Sequence, residues 1–237
     1  MNPDEARDAA AGTPEAILAF WFSAITPRQW FAKDPAFDQE LRRRFLAATE
    51  AAIAGDLTPW ADAPSSALAL VLLLDQFTRQ IWRDTPRAFA GDPQALALSL
   101  RAETEGWIAA EAEASRRAFW LMPRMHSEDL AIQEAALPLF ERFTEPGTAA
   151  FAHRHRDVIA RYGRFPHRKK CWGGRRAPRS GPSCRPRAPA SELKPADMGC
   201  LPLCHRLPDS VAFVVGDGAA TARLIAVDPQ PHASCSR

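Results

Sequence analysis

The chain is expected to fold as an all-α protein of antiparallel helices over residues 13–168, followed by an unlike tail over 169–237. Three observations carry this. Apolar residues recur at helical spacing between proline-marked breaks. Before residue 169 no run alternates in the manner of a strand. Composition then changes abruptly. Residues 1–168 hold 23 acidic and 19 basic residues, net −4, whereas residues 169–237 hold 5 acidic and 11 basic, net +6. All five cysteines (Cys171, Cys184, Cys200, Cys204 and Cys235) and nine of the 21 prolines fall in the second part.

The whole-chain averages, 46% hydrophobic and 24% charged over 237 residues, are ordinary for a globular protein and exclude collagen-like and fully disordered classes. The longest apolar run, residues 67–74, falls far short of the ~20 residues that span a bilayer. Residues 1–11 carry three acids and no apolar stretch, which is not the pattern of a signal peptide. With no cysteine before the seam, a cytoplasmic location is expected, with no membrane partner and no specific nucleic-acid partner.

Thr13-Pro14-Glu15 reads as a helix start, with proline at the first helical position. Ile17, Leu18, Phe20, Trp21 and Phe22 follow. Asp34-Pro35 repeats the signal, and Phe37, Leu41, Phe45 and Ala48 form one apolar face that Gly55 terminates. A third helix starts near Ser65 or Ser66 and runs to about Trp82. Asp92-Pro93 opens a fourth, with Leu96, Leu100 and Trp107 on one face. Ser127 is the expected N-cap of the next helix, with Glu128 and Asp129 in its first turn. That helix runs through Ile132, Leu137 and Phe140, with a kink at Pro138. A last helix spans about residues 148–162 and stops at Gly163. No standard solenoid period is visible.

Three places put polar residues where core is expected. On the third helix one side reads Leu68, Leu72, Asp75, Arg79, Arg83, so an apolar stripe becomes acid, base, base. Asp75 and Arg79 are four apart and can pair, either as a surface pair or as the floor of a polar pocket. His126 precedes a helix start beside Glu128 and Asp129. It is either a hydrogen-bonded capping histidine or a group that moves protons. The spacing is not that of a helical zinc pair, and no metal or cofactor is expected. His153, His155, Arg161, Arg164, His167 and Arg168 cluster where the last helix ends. Cations favour such an end, and arginines there can also take a carboxylate or phosphate. A glycine-rich phosphate loop, a nucleophile elbow and a dinucleotide fingerprint are all absent.

The same segments resemble the bacterial domain-of-unknown-function 924 family, DUF924, over about residues 15–168. The motifs are Phe20-Trp21-Phe22, Trp30-Phe31 with Phe37-Asp38, and Leu74-Asp75-Gln76-Phe77 with Arg79 and Arg83. They continue with Ala88-Phe89-Ala90 and Asp92, then Met122-Pro123 with Met125-His126-Ser127-Glu128-Asp129-Leu130 and Gln133, and Gly163-Arg164-Phe165-Pro166-His167-Arg168. The resemblance implies an all-helical, tetratricopeptide-like fold and no defined reaction. Thr78 and Gln80 stand where the family usually has proline and asparagine, and both are compatible with a helix.

At Lys169 the chain leaves the family pattern, which continues with asparagine and a hydrophobic-Leu-Gly-Arg segment. The codons implied by residues 169–174, read from each third base, become RAA, RTG, YTG, GGG and NGG. Leucine and glycine are then forced, and the flanking hydrophobic residue and arginine are permitted. This frame predicts that residues from about Lys169 are an out-of-frame translation of a protein ending near residue 191. The alternative is a genuine basic, disordered tail, with seven basic residues and no acid over 169–187. Cys200, Cys204 and His205 make an incomplete zinc ligand set, and residues 211–215 could form an isolated strand.

Function is expected to reside in the helical part. The first reading is a binding module in which Arg79, Arg83, Arg164 and Arg168 take an acidic small molecule or peptide carboxylate, oriented by Asp75 and Glu128. The second is an enzyme with His126 or His167 as general acid–base, Glu128 beside them, and the arginines holding an anionic substrate. The third is a structural polar network. Convergence of Asp75, Arg79, His126, Glu128 and His167 in one place separates the first two from the third.

Overall fold

A computed structural model describes residues 12–168, and these form helices joined by short turns and loops, with no strand among them. The expectations for 169–237, including the frame shift, the cysteine ligand set and the strand at 211–215, lie outside the described residues. Among the described residues no helix is long and apolar enough to cross a membrane.

The helix starts are set locally, as the caps predict. α1 (Pro14–Ala19) begins at Thr13, whose hydroxyl accepts from the Ala16 amide, and it continues into a π-helical turn, Phe20–Ala24. α2 (Pro27–Phe31), which sequence reading did not separate, is closed by the Thr26 amide donating to Gln29 Oε1 at 2.9 Å. α3 (Pro35–Ala54) starts at Asp34, whose carboxylate accepts from the Ala36 and Phe37 amides, and ends at Gly55 with φ 90°. Its buried face is Phe37, Leu41, Phe45, Thr49 and Ala52. Thr49 thus takes the place expected for Ala48, and its hydroxyl donates to the Phe45 carbonyl at 2.8 Å.

The third predicted helix is the centre of the fold. α4 (Pro64–Val71) runs without a break into a π-helical segment, Leu72–Phe77, and then into α5 (Thr78–Ile81). Residues 67–78 are buried on all sides, which their apolar run predicted. The Phe77 ring lies 5.1 Å from Phe45 and 5.2 Å from Trp21, so α1 and α3 close on this helix through aromatic contacts. Each such ring removed from water contributes about 1.5–3 kcal/mol.

α6 (Asp92–Thr104) buries Ala95, Leu98, Ser99 and Ala102. The face expected from Leu96, Leu100 and Trp107 is therefore not the buried one, and Leu100 is exposed. Gly91 explains the choice. A Cβ there would collide with the Leu74 backbone, so the start of α6 lies directly on the π-helical segment. At so close an approach, small residues rather than leucines must face inward.

α7 (Trp107–Ala110) leads to α8 (Ala114–Met125), a helix the sequence reading passed over. It runs through Pro123 and buries residues 118–125 without interruption. α9 (Leu130–Phe143) is capped by Asp129, which accepts from the Ala131 amide at 2.9 Å. Ser127, the expected cap, lies two residues earlier and instead accepts from the Asp129 amide. α10 (Pro146–Tyr162) packs on α9 and ends at Gly163 with φ 65°, as expected.

Candidate functional site

The π-helical segment sets the site. A π turn carries an extra residue per turn and so rotates the side chains that follow it, a feature often found at functional sites. Asp75 lies within this segment and is 1% exposed. A bare carboxylate could not stay ionised at that depth. Asp75 is met on all sides by donors. His126 Nδ1, at the end of α8, lies 2.8 Å from Oδ1 and 3.0 Å from Oδ2. Arg79 Nη1 lies 3.0 Å from Oδ1, and the Gln76 amide donates to Oδ2. Burial alone would push the Asp75 carboxyl up. The Arg79 guanidinium and the charge and hydrogen bonds of His126 and Gln76 outweigh it and hold the carboxyl well below the usual range.

Arg79 carries the network outward. Its Nη2 lies 2.9 Å from Asp92 Oδ1, at the start of α6, and Arg168 Nη1 lies 3.0 Å from Asp92 Oδ2. One carboxylate thus bridges two guanidinium groups, each over the Phe89 ring at 5.7 Å for Arg79 and 4.4 Å for Arg168. Arg168 Nη2 donates to the His126 carbonyl at 2.9 Å, and its Nε lies 3.8 Å from Glu128. Burial pulls the Arg168 guanidinium below its ordinary value, and Asp92 opposes this.

Behind His126 lies His155 of α10, with ring centroids 6.2 Å apart. His155 is buried and its Nδ1 donates to the Phe151 carbonyl at 2.8 Å. Burial first, then the positive groups of His126, His167 and Arg168, lower His155 to about 4.

Asp75, Arg79, His126, Glu128 and Arg168 therefore converge, although they come from three separate stretches of the chain. The other candidates are placed elsewhere. Arg83 turns away to a bidentate pair with Asp38, both contacts at 2.6 Å, because Asp38 on α3 lies on that side. Arg164 is exposed beyond Gly163 and holds none of these groups. His167 is exposed and packs beside the Phe165 ring at 5.6 Å, outside the Asp75 shell. Sequence reading missed Asp92, which it used only as a helix start, and did not single out Gln76. His155 was one histidine among several, and its α10 position four residues before the buried Ile159 was the available signal.

A family model described as "Bacterial protein of unknown function (DUF924)" matches residues 17–179. The chain belongs to that family. The DUF924 match extends past Arg168 into the segment where composition changes. A solved structure of a protein of unknown function, ATU0120 from Agrobacterium tumefaciens, is 38% identical to this DUF924 chain. It aligns over 72% of this chain and 94% of its own, with a TM-score of 0.64. No curated protein matches.

Chemically, the DUF924 cluster sets three carboxylates (Asp75, Asp92, Glu128) against two guanidinium groups and one imidazole. Its positive charge is already matched. The Nε2 of His126 has no hydrogen-bond partner among the described residues, and the side chain keeps 14% of its surface open. Among the described residues no group of three or more histidine, cysteine or acidic side chains is arranged to hold a metal ion.

Proposed function

We propose that the domain is an enzyme acting on a small substrate, with His126 as the group that accepts and donates a proton and Asp75 as its orienting partner. The observation that carries this is the contact of His126 Nδ1 with both oxygens of buried Asp75. An ionised acceptor on Nδ1 fixes the proton there in the neutral ring and turns Nε2 into the base. Asp75 cannot swing away, because Arg79 and Gln76 hold its other contacts. His167 is exposed and packs beside the Phe165 ring.

The test is turnover of a metabolite mixture by the full chain, followed by mass spectrometry, beside His126→Gln and Asp75→Asn. At least one metabolite should be consumed by the unaltered protein, with loss of about 10²–10⁴-fold in rate for His126→Gln. Equal consumption by His126→Gln, or none by any protein, contradicts the reading.

One observation favours a second reading, a module that binds an acidic ligand. Arg79 and Arg168 converge on a single carboxylate, as they would on a ligand. That carboxylate is the chain's own Asp92, so a ligand must displace it. Asp92→Asn should then bind phosphate or a dicarboxylate more tightly than the unaltered protein. Calorimetry showing no binding by either removes this reading.

A further inference from the structure

The six residues after α10 do more than end it. Gly163 turns the chain back, and Phe165 is then buried to 2% exposure. The Phe165 amide donates to Glu128 Oε1 at 3.0 Å, and Arg168 ties the far end to Asp92 and the His126 carbonyl. The Phe165 ring lies 5.6 Å from both His155 and His167, and His155 lies against His126. The segment is therefore fixed at both ends and wedged on a histidine that it seals from water.

We propose that residues 163–168 are a strap across the acid–base cluster that releases on acidification, when His155 beneath Phe165 takes a proton. The role of the strap as a gate rests on the His126 reading above; its movement does not. Three basic groups face His155: His126 from the end of α8, and His167 and Arg168 from the strap. Asp75, Arg79, Asp92 and Glu128 lie one layer beyond, around His126 and Arg168. On α9, Glu134 and Glu141 are exposed, and Glu141 pairs with His153 instead. A proton on His155 thus meets basic groups on two sides and an aromatic ring above, with no carboxylate in contact. Lifting the strap returns the imidazole to water and separates it from Arg168 and His167.

The sign follows from the sealed state binding fewer protons. Sealed, His155 titrates near 4; released, it approaches its ordinary 6.5. The sealed form is favoured above pH 6.5 and loses ground as pH falls toward 4, after which the balance is constant. Between pH 7 and 4.5 the released fraction should rise about fifty-fold.

Hydrogen exchange of the full chain tests this, read by mass spectrometry on the peptide covering 163–168 and corrected for intrinsic exchange. The strap should lose protection by about that factor between pH 7 and 4.5, while α3 and α4 lose less. In His155→Gln, which cannot titrate, the pH dependence should vanish. Unchanged strap protection, or loss in step with α3 and α4, overturns the proposal. Should His155→Gln fail to fold by circular dichroism, nuclear magnetic resonance of the unaltered chain decides. The His155 ring and the Phe165 amide should then share one midpoint, and midpoints a unit or more apart overturn the proposal. No substrate enters the test, so a releasing strap on a protein without turnover sinks the enzyme and leaves the strap.

Discussion

His126 and Asp75 stand 51 positions apart in the chain and 2.8 Å apart in space. The pair joins the end of α8 to the π-helical segment, so the fold and the proposed chemistry depend on the same contact. Substitutions around it should therefore be read for stability and for function separately.

Asp75→Asn keeps the size of the side chain and removes its charge. Arg79 and His126 then face a neutral group at a buried position. The loss of one partner of a buried ion pair costs about 3–5 kcal/mol. Urea unfolding should show a drop of that order, and a change under 1 kcal/mol would mean that the cluster does not hold the fold.

Asp92 and Arg168 should be coupled. Both are mostly buried, and their contact is 3.0 Å. A double-mutant cycle with Asp92→Asn and Arg168→Gln should give an interaction of about 1–3 kcal/mol. Simple additivity would place the strap's hold in Phe165 and Glu128 alone.

Gly91→Ala tests the close approach that positions Asp92. The backbone at Gly91 has an ordinary φ of −88°, so strain in that angle is not the issue. The new methyl would meet the Leu74 backbone, which cannot move without shifting the segment that carries Asp75. A loss of about 1–3 kcal/mol in thermal or urea unfolding is expected, as for overpacking elsewhere. Gly147→Ala, where nothing lies near the added carbon, is the control and should change stability little.

The helix starts and stops at Thr13, Asp34, Gly55 and Gly163 were legible because a cap is a local event. The face of α6 was not, because Gly91 decides it by contact with a residue on another helix. α8 was hidden by Pro123, which reads as a break and lies inside the helix. In the site, Asp75 with Arg79 was readable from their spacing. Arg83 obeys the same spacing, yet α3 supplies Asp38 on its side, and no helical period encodes that neighbour. Asp92 was overlooked because a residue at a helix start already has an explanation.

Global stability should fall with acid through His155. Its sealed value near 4 lies below the unfolded 6.5, so the folded chain resists protonation. Stability is complete above pH 6.5 and declines toward pH 4, by less than the about 3 kcal/mol that a permanently sealed His155 would cost, because release of the strap lets the folded chain take up the proton. Unfolding free energies measured across that interval should flatten in His155→Gln. An equal slope in both proteins would assign the acid sensitivity to the carboxylates instead.

The central claim is that Asp75 fixes the His126 ring with its proton on Nδ1 and Nε2 open. Long-range proton–nitrogen correlation spectra of the imidazole measure this directly. At a pH where the ring is neutral, the unaltered protein should show protonated Nδ1 and bare Nε2, and Asp75→Asn should lose that preference. A ring protonated on Nε2 in the unaltered protein would contradict the account.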